Sequence, residues 1–127
     1  MYDAPFFYLV RFWVDPKAED RVIAWLKGGH MAEVVAIPGY LWANCIKLDE
    51  IDSLGWSAYA NIYALESRAA LEAYMANPIR EKFARENAAF AGALRTERSW
   101  GATAIALAGA SAAPQRRTPA RGTPARA

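Results

Sequence analysis

The rhythm of apolar and polar positions changes several times along the chain, and each change marks an element. "FFYLVRFWV" (residues 6–14) is dense in aromatic and β-branched side chains and reads as a strand. "DPKAED" follows, with Asp15 as an N-cap, Pro16 at the first helical position and acids in the first turn. Val22, Leu26, His30 and Val34 then recur every four residues, which predicts a helix over roughly 16–36. Pro38 stops it and Gly39 supplies a turn. "YLWANCIKL" (40–48) and "WSAYANIYAL" (56–65) are two further strands joined by the polar "DEIDSLG", so they are expected to form an antiparallel hairpin. Ser67 caps a helix through "RAALEAYMA", and Asn77-Pro78 starts another turn through "REKFARENAAF". "LRTERSW" (94–100) closes the set as a shorter, more polar strand.

This order, β-α-β-β-α-β, is the split βαβ of ferredoxin-like folds. It predicts an α+β protein with helices on one face of a four-stranded antiparallel sheet. The bare face would then alternate to polar, but the first strand is apolar on both sides: Phe6, Tyr8, Val10, Phe12 and Val14 on one, Phe7, Leu9 and Trp13 on the other. Both faces are therefore covered. Only two helical elements are available, so the second cover is expected to be another copy of the sheet, giving a homodimer packed sheet to sheet.

Composition narrows this further. The chain has 127 residues, which suits one domain over 1–101. The segment 102–127 is Ala, Pro, Gly, Thr and Arg without aromatics, and is expected to be a disordered tail. Residues 1–101 carry 11 Lys and Arg against 13 Asp and Glu, and the tail's four arginines make the whole chain +2. A mildly acidic folded part without a basic stripe argues against a nucleic-acid partner. Cys45 is the single cysteine, so no internal disulfide framework exists. No secretory pattern opens the chain and no apolar run approaches membrane-spanning length, so no membrane partner and a cytoplasmic setting are the expectation.

The pattern W-x4-H-x3-V-x3-PG-Y-L, carried by Trp25, His30, Val34, Pro38, Gly39, Tyr40 and Leu41, resembles the dimeric α+β barrel superfamily. More narrowly it resembles uncharacterised bacterial members related to ethyl tert-butyl ether degradation-type proteins. "IYALESRAALEAYMANPIREKF" is similar to the same group's third strand and second helix, and the likeness spans roughly residues 5–101. It implies a ligand pocket between sheet and helices within each protomer. Relatives include polyketide cyclases, muconolactone isomerases, cofactor-free monooxygenases and haem-degrading enzymes, so chemistry has to be argued from the site itself. The basic pair that the resemblance implies after the PG-Y-L stretch is absent: Asn44 and Cys45 stand there.

His30 is the only histidine and lies on the apolar stripe of the first helix. Gly28 and Gly29 each cost about 1 kcal/mol in a helix interior. Their expected use is a kink that opens a dry hollow under the imidazole. The alternative is a packed, neutral histidine. One strand face offers Tyr59, Asn61 and Tyr63, and Tyr40, Trp42 and Asn44 read as sharing a face on the neighbouring strand. These six are the candidate substrate-binding residues, although parity alone leaves open whether they line the pocket or the dimer seam. Arg11 needs an acidic partner, with Glu97 or Glu66 the candidates. One His and one Cys speak against a metal site, and neither a phosphate loop nor a dinucleotide fingerprint is present, so no cofactor is expected.

The leading expectation is a cofactor-independent isomerase, cyclase or lyase acting on a small apolar, aromatic or polyketide-like molecule, with His30 as general acid/base. The alternatives are a non-catalytic hydrophobic-ligand-binding or accessory protein of a catabolic pathway, and a cofactor-free monooxygenase.

Overall fold

β1 (Phe6–Val14) runs through the middle of the sheet, where a strand apolar on both sides belongs. It is flanked by β3 (Ser57–Leu65) and β4 (Leu94–Ala102), and β2 (Tyr40–Ile51) pairs with β3, giving the order β2-β3-β1-β4 with every pair antiparallel. This computed structural model describes residues 4–112, so the tail expected to be disordered lies outside the described residues from 113 onward. The architecture is the ferredoxin-like α+β fold the pattern implied.

The helices lie on one face. α1 (Pro16–Trp25) is capped by the Asp15 carboxylate, which accepts from the Lys17 N–H at 2.9 Å. α3 (Arg68–Met75) is capped by Ser67 Oγ, which accepts from the Ala70 N–H at 3.1 Å. Asn77 Oδ1 accepts from the Ile79 N–H at the start of α4 (Ile79–Asn87). Such caps satisfy donors that a helix start otherwise leaves unpaired. The helix predicted over 16–36 is not continuous. After α1 comes a π turn (Leu26–His30), in which the Met31 N–H reaches the Leu26 carbonyl five residues back, and then α2 (Met31–Val35). Gly29 leaves helical geometry inside that turn, at φ 159° and ψ −31°.

Phe6, Tyr8, Val10, Phe12 and Val14 point toward the helices, opposite Leu65, Tyr63, Asn61, Tyr59 and Ser57 of β3. On the other flank the partners are Trp100, Arg98, Thr96 and Leu94 of β4. Two apolar clusters fill the layer. One joins Phe6, Tyr8, Tyr63 and Leu65 to Val34, Leu71, Tyr74 and Phe83; the other joins Phe12, Val14 and Tyr59 to Ala18, Val22, Leu26 and Phe90. Each such side chain contributes about 1.5–3 kcal/mol by leaving water.

Two expectations are corrected on the open face. Arg11 lies opposite Glu97 in register, yet its ion pair is with Glu50, near the end of the long β2, and not with Glu97 or Glu66. Arg11 and Arg95 also cover Trp13, at 5.0 and 4.5 Å from its ring centre. The second correction concerns β2. A register shift between Tyr40 and Trp42 sets Tyr40 opposite Leu65 but Trp42 opposite Ala64 and Asn44 opposite Ile62. Tyr40 therefore turns toward the helices while Trp42 and Asn44 turn away. Leu41 is the extra residue of a bulge, and one extra residue inverts every side chain beyond it.

Gly39, between α2 and β2, is where the backbone of one layer touches the next. Its φ is +97°, and a Cβ there would stand 2.5 Å from that of Ala70 in α3. Gly39→Ala is therefore expected to cost about 1–3 kcal/mol in urea unfolding, whereas Gly28→Ala, with nothing within 4 Å, is expected to leave stability unchanged or raise it. Equal effects would contradict the close approach.

Candidate active site

Between sheet and helices lies a cavity of about 260 Å³. Its floor consists of neighbouring rungs of the sheet: Tyr8 beside Tyr63, Val10 between Asn61 and Arg98, and Phe12 beside Thr96. Its roof is Trp25, Leu26 and His30 from the first helix, Tyr74 from α3, and Arg80, Phe83 and Asn87 from α4.

The π turn positions His30. Residues five apart stand far round an α-helix from one another, but a wider turn brings them nearly into line. The His30 ring accordingly stacks on Trp25, with centres 4.1 Å apart and planes 15° apart. Phe83 meets it edge to face at 4.5 Å. Trp25 is itself held, its indole N–H donating to Glu86 Oε1 at 3.1 Å. Burial pushes the imidazole pKa below its usual 6.5, against the opposing pull of Glu86 and Glu33. The ring is therefore neutral at neutral pH. Its Nδ1 is buried without a hydrogen-bond partner, and so is Oδ1 of Asn61, a residue only 4% exposed. Among the described residues, these are the unpaired buried side-chain atoms on residues that line the cavity. A buried polar atom left unpaired costs about 1–3 kcal/mol, and here two such atoms belong to residues lining one cavity.

Tyr63, Tyr74, Arg80 and Arg98 bring donors to the lining. Burial raises the pKa of the Tyr63 and Tyr74 hydroxyls, and nearby Arg80 pulls that of Tyr74 partly back. Both stay protonated. The Arg80 guanidinium lies 5.4 Å from the Tyr74 ring centre, and Arg98 Nη1 donates to Thr96 Oγ1 at 3.1 Å. The hollow expected to be dry thus has two cations in its lining, Arg80 half-buried and Arg98 exposed at the edge strand.

Beside the imidazole, Glu33 and Glu86 bring their oxygens within 4.8 Å of it and of one another. These three could ligate a divalent ion. Lys82 already stands there, its Nζ 2.5 Å from Glu33 Oε2 and 3.6 Å from Glu86 Oε2. Its bond to Glu33 raises the ammonium pKa and keeps it charged, so a metal would have to displace it.

Of the sequence candidates, His30, Asn61 and Tyr63 line the cavity. Tyr40 is buried behind it, edge to face with Tyr63 and Tyr74. Tyr59 stacks on Phe12 at 4.9 Å and donates its hydroxyl to Glu19, outside the lining. Trp42 and Asn44 are on the opposite face of the sheet, where Trp42 meets Phe7 edge to face. Cys45 is an exposed residue whose thiol is partly covered by its neighbours, which raises its pKa and makes it a poor nucleophile. Sequence reasoning missed Tyr8, Tyr74, Arg80 and Arg98. Arg98 was legible in principle, since Leu94, Thr96, Arg98 and Trp100 alternate along β4; the two α4 and α3 residues gave no comparable signal.

Solved structures share this architecture. A monooxygenase from the gene ActVA-Orf6 of Streptomyces coelicolor, in complex with nanaomycin D, is 21% identical with a TM-score of 0.63, over 84% of this chain and 94% of that one. SnoaB, a cofactor-independent oxygenase from Streptomyces nogalater, is 19% identical with a TM-score of 0.59, over 83% and 98%. An ethyl tert-butyl ether degradation family protein from Bacillus halodurans is 14% identical with a TM-score of 0.54, over 74% and 96%, in keeping with the resemblance read from the sequence. At these identities the likeness is one of fold. No curated protein matches the chain. No helix among the described residues is long and apolar enough to cross a membrane. Residues 6–97 match the family model described as "Domain of unknown function (DUF4286)", and the chain belongs to that family.

Proposed function

We propose that this protein is a cofactor-independent enzyme acting on a small aromatic or polyketide-like molecule, with His30 as general acid/base. The observation that carries the reading is that two residues lining one cavity are a neutral imidazole with a buried, unpartnered nitrogen and an amide with a buried, unpartnered oxygen. Asn61 Oδ1 asks for a donor, which a phenolic or enolic hydroxyl supplies. His30 removes a proton from the adjacent acidic position. The amide's N–H end and the Tyr63 hydroxyl then donate to the oxyanion that forms. A positioned base of this kind is worth about 10²–10⁴-fold, and removing one oxyanion donor costs about 10²–10³-fold. This is isomerase, cyclase or lyase chemistry. The fold likeness to two oxygenases favours a variant in which the same carbanion meets dioxygen; oxygen uptake separates the two. A protein that only holds a ligand would use the cavity without the base.

We infer further that the protein works as a homodimer through the open face of the sheet. There Phe7, Leu9 and Ile62 are only part-buried, Trp42 leaves its indole N–H unpaired, and Ile46 is 42% exposed.

Deuterium exchange at the acidic carbon of aryl ketones and 1,3-diketones, followed by NMR, tests the base without knowledge of the full reaction. His30→Ala is expected to lower the rate by at least 10²-fold; exchange at the wild-type rate would rule out the mechanism. Because burial lowers the imidazole pKa, activity should persist below pH 6.5 and fall only once the folded protein's own, lower value is passed. The same shift makes the unfolded chain bind the proton first. Stability is then complete above 6.5 and lost as pH falls beneath it, a loss that His30→Phe should reduce. Ile46→Glu is expected to shift the mass in light scattering from dimer to monomer, and a monomeric wild type would refute the assembly.

A further inference from the structure

We propose that the cavity binds an anion, the carboxylate of a hydroxy- or keto-substituted aromatic acid, held by Arg80 and Arg98 with the hydroxyl of Tyr74. This deepens the reading of the cavity as a substrate site and rests on it.

Charge is the first argument. Both arginines line the cavity, and no Asp or Glu is among the lining residues. Among the described residues neither guanidinium forms an ion pair; Arg98 has a threonine hydroxyl and Arg80 a tyrosine ring. The other arginines whose side chains meet the sheet's opposite face, Arg11 and Arg95, are each paired with an acid. Two guanidinium groups facing one concave site repel each other. A carboxylate between them relieves that repulsion and gains charge-assisted, two-pronged hydrogen bonds.

Geometry supplies the second argument. The Arg80 guanidinium lies 5.4 Å from the Tyr74 ring centre, and Arg98 stands on the cavity floor next to the Tyr8–Tyr63 rung. Two guanidinium groups, which can only donate, beside the protonated Tyr74 hydroxyl suit an acceptor-only ligand. Arg98 and Asn61 flank Val10 on one rung, so their strands stand two sheet spacings apart, roughly 10 Å. The acid group and the oxygen met by Asn61 therefore belong on opposite sides of a ring system, not next to each other. The apolar span between them is Val10 below and Phe83 above.

The test compares 2-naphthoate with 2-naphthamide, matched in shape but not in charge, titrated into the full chain by ligand-observed NMR. At low salt the acid is expected to bind at least about tenfold more tightly, a margin that shrinks as salt rises. Arg80→Gln with Arg98→Gln should bring acid and amide within about twofold. Should that double variant fail to fold, Arg80→Lys with Arg98→Lys, which keeps charge and loses the fork, should retain preference but at reduced strength. Equal binding of acid and amide, binding of neither, or a preference indifferent to salt and to the arginines would overturn the proposal. His30→Gln separates the two readings. It should abolish deuterium exchange and leave the acid preference intact. A variant that keeps both would sink the general base alone; acid preference absent from a wild type whose exchange needs His30 would sink the anion site alone.

Discussion

The hydrogen bond from the Met31 N–H to the Leu26 carbonyl spans five residues where an α-helix spans four, and the cavity is organised around that one wider turn. Before it, Val22 and Leu26 are buried on the strands; after it, Val34 is buried again. Between them the helix carries more residues per turn than its neighbours need, and His30 is lifted from the packed row onto the Trp25 ring. π turns cost something in hydrogen-bond geometry and recur at functional sites. Here Gly29 lowers that cost, since it adopts a backbone geometry foreign to a helix.

Aromatic packing then turns a backbone irregularity into chemistry. Trp25 is fixed by Glu86, His30 by Trp25 and Phe83, and the imidazole consequently sits in a place dry enough to stay neutral yet open on one side to the cavity. The carboxylates that would otherwise protonate it, Glu33 and Glu86, are partly neutralised by Lys82. The arrangement has three parts: a cation satisfies the acids, the acids fix the indole, and the indole positions the base.

Much of this was legible in the sequence. Caps at Asp15 and Ser67, the proline and glycine stops, and the doubly apolar first strand state their purpose locally, because each depends on neighbours within a few residues. The helix break was legible for the same reason: two glycines inside an apolar stripe have no good local excuse. What escaped depends on counting along strands and on tertiary placement. The bulge at Leu41 is invisible in "YLWANC", and it sent Trp42 and Asn44 to the wrong face. Arg98 read as part of a more polar edge strand, and nothing near it or near Arg80 in sequence reveals that both would line one cavity with Tyr8, Tyr63 and Tyr74.

Those phenols have a consequence at the alkaline end. Tyr40, Tyr63 and Tyr74 hold their protons well beyond the ordinary value of 10.0 because their rings are shut away from water. An opened chain would give the same protons up near that value. Folding thus retains protons that strong base removes, and the balance shifts toward the opened form with each step above pH 10. The cluster that furnishes the cavity with donors also makes the fold sensitive to lye, with tyrosinate colour and loss of structure arriving together.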